Sequence, residues 1–161
     1  LKFLESEDEF AGVLGHEIGH ADMRHSTRQM TKMFGVQSLI SIIAGNREML
    51  GQVTSALVNL SFSRAHENEA DERSVQYLCP TDYNSAGGAG FFEKLQEMGS
   101  ENPPEFLSTH PSPDGRIEKF NEHKETLQCA GAETFKTRYE QMIAKLPTEP
   151  SAPSTPRSGR N

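Results

Sequence analysis

This chain has little cysteine, no long apolar run and no excess of positive charge. Only Cys79 and Cys129 occur among its 161 residues. Two cysteines are too few for a disulfide framework, and they lack the spacing of a zinc ribbon or a redox site, so a single bridge is left open. With a net charge of −7, the chain lacks the surplus of Lys and Arg that neutralises phosphates, and we expect no nucleic-acid partner.

No stretch approaches the roughly 18 consecutive apolar residues that cross a membrane as a helix. The most apolar segment, Phe34 to Leu60, is interrupted by charged residues such as Arg47 and Glu48. We therefore expect no transmembrane span in this chain. The first residue is Leu1, and no charged-then-apolar signal pattern follows it, which favours a chain cut from a longer precursor.

Apolar residues at helical spacing predict a mainly α-helical chain. Ser6 and Glu9 have the spacing of a capping box at the start of the first helix, and Gly45 suits the left-handed residue that ends the second. The Ile-rich second helix is predicted to lie in the core, and a short strand is indicated only near residues 1–4. Helices are predicted over about Glu7 to Arg28, Lys32 to Ala44, Glu48 to Leu78 without a break, Gly88 to Met98, Pro113 to Leu127 with Ser112 as its cap, and Phe135 to Leu146.

The last 15 residues differ in composition from the rest. From Pro147 onward the chain has almost no apolar residues and contains four prolines, so burial cannot offset the entropy lost on ordering. Residues 1–146 are predicted to form one domain, and residues 147–161 a disordered tail.

His16, Glu17 and His20 form an HExxH element inside the first predicted helix, which is the structural context that this motif requires. Four helical residues turn through about 400° and rise about 6 Å, so both imidazoles project from one face and can grip one ion. Zinc accepts neutral imidazole and carboxylate, and its catalytic sites keep one position for water. Glu17, one residue round the helix, is predicted to act as the general base; two histidines satisfied on a helix surface are the alternative.

Three ordered motifs carry a resemblance to a known family. HEIGH at residues 16–20, SRAHENEAD at 63–71 and THPSPDGRI at 109–117 resemble the HtpX and CAAX prenyl protease family of gluzincin zinc endopeptidases. The resemblance implies that Glu67 is the third zinc ligand. It also brings in Asp71, a carboxylate one turn further along, which is well placed to orient a zinc-bound imidazole; a solvated helix carboxylate is the alternative.

The third motif adds His110 and Arg116. Soluble relatives that resemble bacterial outer-membrane quality-control proteases place this histidine near the zinc, which implies that His110 can be an inhibitory fourth ligand; an ordinary loop histidine is the alternative. Arg116 is predicted to stabilise the oxyanion of the tetrahedral intermediate, with a surface salt bridge as the alternative. Helix-surface or ligand-supporting roles are predicted for His25, His66 and His123. Glu69 lies on the opposite side of its helix from Glu67 and Asp71, and a structural role is predicted for it.

The resemblance implies a zincin-like α+β core, with most of the small sheet in a portion that precedes this chain. It also implies one zinc ion per chain. The implied reaction is hydrolysis of peptide bonds in misfolded or misassembled proteins of the bacterial envelope. The implied location is the periplasm or the outer membrane, within an envelope assembly complex. Two further readings stay open: a zinc-holding chaperone or adaptor with little turnover, and a helical interaction domain without metal.

Overall fold

The computed structural model describes residues 3–58, 60–98, 109–110 and 115–147. These ranges contain no strand, and residues 3 and 4, where a short strand was predicted, lie outside any β-pairing; the isolated pairing is a parallel bridge between Tyr83 and Glu133. The chain is mainly α-helical, as predicted. The helices of the described part are α1 (Glu7–Asp22), α2 (His25–Ile43), α3 (Arg47–Val58), α4 (Arg64–Leu78), α5 (Gly88–Met98), α6 (Arg116–Thr126) and α7 (Lys136–Ile143).

Helix α1 begins at Glu7 as predicted, but the capping box does not form. The hydroxyl of Ser6 donates to the Asp8 carboxylate and makes no capping bond to the helix backbone. The carbonyl of Thr134 instead accepts from the backbone N–H groups of Glu7 and Asp8, at 3.0 and 3.3 Å. A distant segment therefore satisfies N–H groups that a local cap otherwise serves.

Close contact between α1 and α4 depends on two glycines, each of which directly precedes one of the HExxH histidines. A Cβ atom at Gly15 would lie 2.7 Å from the Ser74 hydroxyl, and one at Gly19 would lie 3.0 Å from the Ala70 carbonyl oxygen. Because neither glycine has a side chain, the two backbones approach closely enough for residues of both helices to share one site.

The first helix is shorter than the prediction of Glu7 to Arg28. It ends at Asp22, and Arg24 takes a left-handed conformation with φ of 55°, after which α2 starts at His25. Neither Gly nor Pro marks this break in the sequence. The apolar spacing thus located the helix correctly but not its end.

The prediction of one continuous helix from Glu48 to Leu78 is wrong. It divides into α3 and α4, and Ser63 caps α4 by accepting a hydrogen bond from the His66 N–H at 3.2 Å. Between the helices, Leu60 is buried in a small apolar cluster with Met30 and Val53. The apolar spacing continues through Leu57 and Leu60, so it does not mark where α3 ends and α4 begins.

Helix α2 was predicted to lie in the core, and most of it does not. Val36 is 61% exposed and Ile43 is 87% exposed, whereas Met30 is buried. The helix is kinked at Gly35, which has a positive φ, and Gly45 is left-handed after its end, as predicted. Helix α2 packs mainly against α3, and many of its apolar side chains remain exposed.

A second apolar cluster lies between α4, α5 and α6. Its buried members are Val75, Ala86, Ala89, Phe91, Phe92 and Phe120. Next to it a disulfide joins Cys79 and Cys129, which settles the pairing that the sequence left open and fastens the end of α4 to the segment after α6.

Three remaining helices agree with the sequence in part. Helix α5 has the predicted bounds, α7 is shorter than predicted, and α6 begins at Arg116 after the left-handed Gly115. The predicted cap Ser112 and first turn Pro113, most of the loop before them and the tail from residue 148 lie outside the described residues. Within the described part, no helix combines the length and apolar character needed to cross a membrane.

Candidate metal centre

Four side chains from three parts of the chain converge in the interior. His16 and His20 come from α1, Glu67 from α4 and His110 from the segment before α6, and all four are buried. Each offers one nitrogen or oxygen atom, and these four atoms lie within 4.8 Å of one another. The predicted ligands are therefore brought together at one point.

The separations suit a tetrahedral metal ion. The Nε2 atoms of His16 and His20 are 3.0 Å apart, and each lies 3.5 Å from a carboxylate oxygen of Glu67. The Nδ1 atom of His110 is 3.3 Å from the His16 Nε2 and 3.2 Å from Glu67 Oε1. Ligand bonds of about 2.0–2.1 Å in a tetrahedron put neighbouring donor atoms about 3.3 Å apart.

Protonation and charge fit a cation as well. Burial, and after it the nearby His16, His110 and His25, lower the pKa of His20 to about 2, so its ring is neutral and can offer a lone pair. Glu67 and Asp71 are fully buried, and the guanidinium of Arg116 contacts both. Two carboxylates thus share one guanidinium, and a divalent cation at the cluster would bring further positive charge to them.

Glu17 lies beside the four donor atoms without belonging to them. Its side chain is 46% exposed, and its Oε1 atom is 3.6 Å from the His110 Nε2. The carboxylate therefore reaches solvent at the edge of the cluster. This is where a group that exchanges protons with a water molecule is needed.

Asp71 and Arg116 lie behind the donor atoms. The Asp71 carboxylate is 2.7 Å from the His16 Nδ1, the ring nitrogen that faces away from the cluster. Arg116 donates from Nε to Asp71 at 2.7 Å and from Nη1 to Glu67 at 3.0 Å. Arg116 is 2% exposed, so the alternative prediction of a surface salt bridge is wrong. Its place also differs from the one expected of an oxyanion donor, because the guanidinium bonds carboxylates behind the ligands.

The His110 segment is tied to the chain between α3 and α4. The backbone N–H of Phe62 donates to the Thr109 carbonyl at 3.0 Å. The Phe62 ring lies 5.2 Å from the His110 ring and 4.0 Å from the His20 ring, measured between centroids. Phe62 was not singled out from the sequence, because it lies within a segment that was predicted to be helical.

His25 was predicted to have either a helix-surface role or a role in supporting a metal ligand. It is fully buried, its Nδ1 is 2.9 Å from the His20 Nδ1, and its Nε2 is 2.9 Å from Glu69 Oε2. His66 stacks on the His25 ring at 4.3 Å. His123 lies on α6 and is not among the clustered donors.

Comparison with known proteins gives concordant matches. The family model described as Peptidase family M48 matches residues 1–124. The chain is 32% identical over 70% of its length to the mitochondrial metalloendopeptidase OMA1 of Arabidopsis thaliana, of which it covers 24%. It is 28% identical over 73% of its length to the metalloprotease YcaL of Escherichia coli, of which it covers 49%. It is also 29% identical over 72% of its length to the beta-barrel assembly-enhancing protease of the same organism, of which it covers 27%. The chain thus spans a quarter to a half of the length of these curated relatives.

Proposed function

We propose, from the premise that this chain belongs to peptidase family M48, that it forms the catalytic part of a zinc-dependent endopeptidase. The observation that carries the proposal is the convergence of His16, His20, Glu67 and His110, with Glu17 at the edge. The relatives are named as proteases and metalloendopeptidases, which supports the same chemistry.

Zinc is the metal that this donor set favours. Imidazole nitrogen and carboxylate oxygen are its usual ligands, and His16, His20 and Glu67 supply the three that a catalytic site needs. When bound, zinc would polarise the scissile carbonyl and lower the pKa of a coordinated water to roughly 7. The chain's own residues then have to hold the ligands, move the proton and admit the substrate.

Glu17 is the proposed general base. Its half-exposed carboxylate accepts a proton from the attacking water at Oε1 and later delivers a proton to the leaving amine. Asp71 accepts from the Nδ1 of His16, which holds that ring with Nε2 towards the cluster. Arg116 in turn holds Asp71 and Glu67, so we assign it to positioning the ligands and withdraw the oxyanion role expected from the sequence.

His110 is proposed to close the resting site. Its Nδ1 lies among the donor atoms, where the fourth ligand position would be, and its Nε2 faces Glu17 at 3.6 Å. In this proposal one side chain would take the place of the attacking water and would also lie next to its base. Activity would require the His110 segment to move away, as with a lid.

The proposed substrates are misfolded or misassembled proteins of the bacterial envelope, in the periplasm or at the outer membrane. The relative named for enhancement of β-barrel assembly supports this choice, and an envelope assembly complex is the proposed setting. The disulfide between Cys79 and Cys129 supports an oxidising compartment.

The test combines zinc stoichiometry with cleavage of casein by protein purified without chelator. Glu17→Gln is expected to keep its zinc and lose cleavage, because the lost group is a base. Glu48→Gln, which neutralises an exposed carboxylate on α3, is the matched control and should keep both.

Each variant is also made with His110→Ala, which is expected to raise cleavage by opening the site. A slower His110→Ala enzyme with full zinc content would contradict the closing role and favour hydrogen bonding to the transition state. Zinc binding without cleavage in either background would favour a zinc-holding chaperone or adaptor. Absence of zinc would favour a helical interaction domain.

A further inference from the structure

Two further side chains, His25 and Glu69, lie one after the other behind the His20 ring. The His20 Nε2 points to the other donor atoms, and its Nδ1 points to His25, 2.9 Å away. The opposite nitrogen of His25 contacts Glu69 at 2.9 Å. Glu69 itself is 36% exposed at its side chain and also faces Arg28 at 3.6 Å.

When His20 is a metal ligand, one arrangement of protons satisfies both of these contacts, from His20 to His25 and from His25 to Glu69. A ligand imidazole offers the Nε2 lone pair, so the neutral His20 ring carries its proton on Nδ1 and donates to the Nδ1 of His25. His25 then carries its proton on Nε2 and donates to the Glu69 carboxylate. With the other tautomer of His25, two N–H groups would face each other, so Glu69 selects the tautomer that accepts from His20.

The break after α1 is what brings His25 to this position. In an uninterrupted helix, five residues turn through about 500°, so His25 would project about 140° away from His20. Arg24 adopts a left-handed conformation instead, with φ of 55°, and the chain turns so that His25 faces back to His20. The stacked His66 ring lies against one face of His25 and limits its rotation.

We propose that His25 and Glu69 are positioning residues that hold His20 as a metal ligand. They do for His20 what Asp71 does for His16, so both histidines of the HExxH element are oriented from behind. This inference rests on the proposed zinc site. Removing a partner that orients a metal-bound histidine lowers metal affinity by about 10–100-fold, and we expect that loss for His25→Phe, which leaves the His20 Nδ1–H without an acceptor.

The experiment measures zinc dissociation constants by chelator competition for wild type, His25→Phe, Glu69→Ala and the double variant. Glu69→Ala removes the acceptor for His25 and is expected to weaken zinc binding less than His25→Phe. In the His25→Phe background it should weaken binding no further, because Glu69 acts through His25. His66→Phe makes the same chemical change in the adjacent ring and should keep wild-type affinity.

The tautomer provides a second readout. Nitrogen chemical shifts of the zinc-loaded protein should show the His20 proton on Nδ1 and the His25 proton on Nε2 in wild type. Glu69→Ala alters a partly exposed side chain, so it tests the inference even where His25→Phe fails to fold. Unchanged zinc affinity in Glu69→Ala would then overturn it.

The outcomes separate this inference from the proposed function. Wild-type protein without zinc would overturn both. Zinc binding that His16→Ala weakens and His25→Phe leaves unchanged would overturn the inference alone. Equal losses in His66→Phe and His25→Phe would also overturn it, since packing of the rings would then explain the effect.

Discussion

Replacing Arg116 by Met separates two roles for the same side chain. An oxyanion donor would affect the rate of peptide hydrolysis and leave the stability of the metal-free protein unchanged. The structure instead has Arg116 buried, bonded to Asp71 and Glu67, with its guanidinium 4.0 Å above the ring of Phe92. Arg116→Met would leave both carboxylates buried without their cation.

The magnitude follows from that burial. Breaking a buried ion pair by removing one partner costs about 3–5 kcal/mol, because the remaining charge is uncompensated. Asp71 and Glu67 have no exposed surface, so water cannot replace the lost guanidinium without a change in packing. Domains have unfolding free energies of about 5–15 kcal/mol. Arg116→Met should therefore remove a large part of the stability of the metal-free protein.

Urea unfolding in the presence of a chelator measures this loss. Lys136→Met is the control, because Lys136 is 55% exposed and its ion pair with Glu5 lies on the surface, where such pairs contribute about 0–1 kcal/mol. Arg116→Lys keeps the charge but loses the planar fork that bonds a carboxylate with two nitrogens. Its unfolding free energy should lie between those of wild type and Arg116→Met.

A loss in Arg116→Met no larger than that of Lys136→Met would refute the reasoning. If the rate of peptide cleavage fell sharply in that variant while the unfolding free energy stayed unchanged, the oxyanion role would be restored. The slope of unfolding free energy against urea must also stay constant, since a change in slope would indicate a different unfolded state or an intermediate.

Three other predictions concern separate parts of the chain. Asp71→Asn should lower zinc affinity or activity by about 10–100-fold, as measured by chelator competition and casein cleavage; unchanged values would make Asp71 irrelevant to His16. Replacing both Cys79 and Cys129 by Ser opens a loop of 50 residues. In the chain-entropy treatment this should lower the unfolding free energy by about 4 kcal/mol. Reduction of the wild-type disulfide should reproduce this loss in thermal unfolding. The hydrogen bond from Arg138 is the main cause that lowers the pKa of Glu7 below its ordinary 4.5. The stability that Glu7 contributes is therefore present above pH 4.5 and is lost as the pH falls through the lowered pKa. Urea titrations of Glu7→Gln should show a shallower fall of unfolding free energy in acid than wild type, and parallel curves of unfolding free energy against pH would contradict this.

Much of the site could be predicted because its parts follow local rules. The positions of His16 and His20 on one face require only helical geometry, and a carboxylate one turn after Glu67 lies on the same side of α4 by the same geometry. Family resemblance supplied Glu67 and His110, which local spacing cannot connect to α1. The structure brings all four donor atoms together, and it buries Arg116 against Asp71 and Glu67.

Helix ends were less predictable than helix positions, and the reason is physical. The break at Arg24 involves no Gly or Pro, and the apolar spacing runs on through Leu60, past the end of α3 at Val58. Such ends are decided by packing energies between segments distant in sequence, which local propensity does not contain.

The sequence by itself determined the helical class of this protein and placed His16, Glu17 and His20 of the proposed metal site together, because 3.6 residues per turn places those side chains without reference to the rest of the fold. Only the tertiary structure decided that His25 turns back onto His20 and that Glu69 lies behind it. That arrangement requires a left-handed residue at Arg24, a conformation with a local energetic cost. The packing of α1, α2 and α4 has to offset this cost, and no residue pattern along the chain records it.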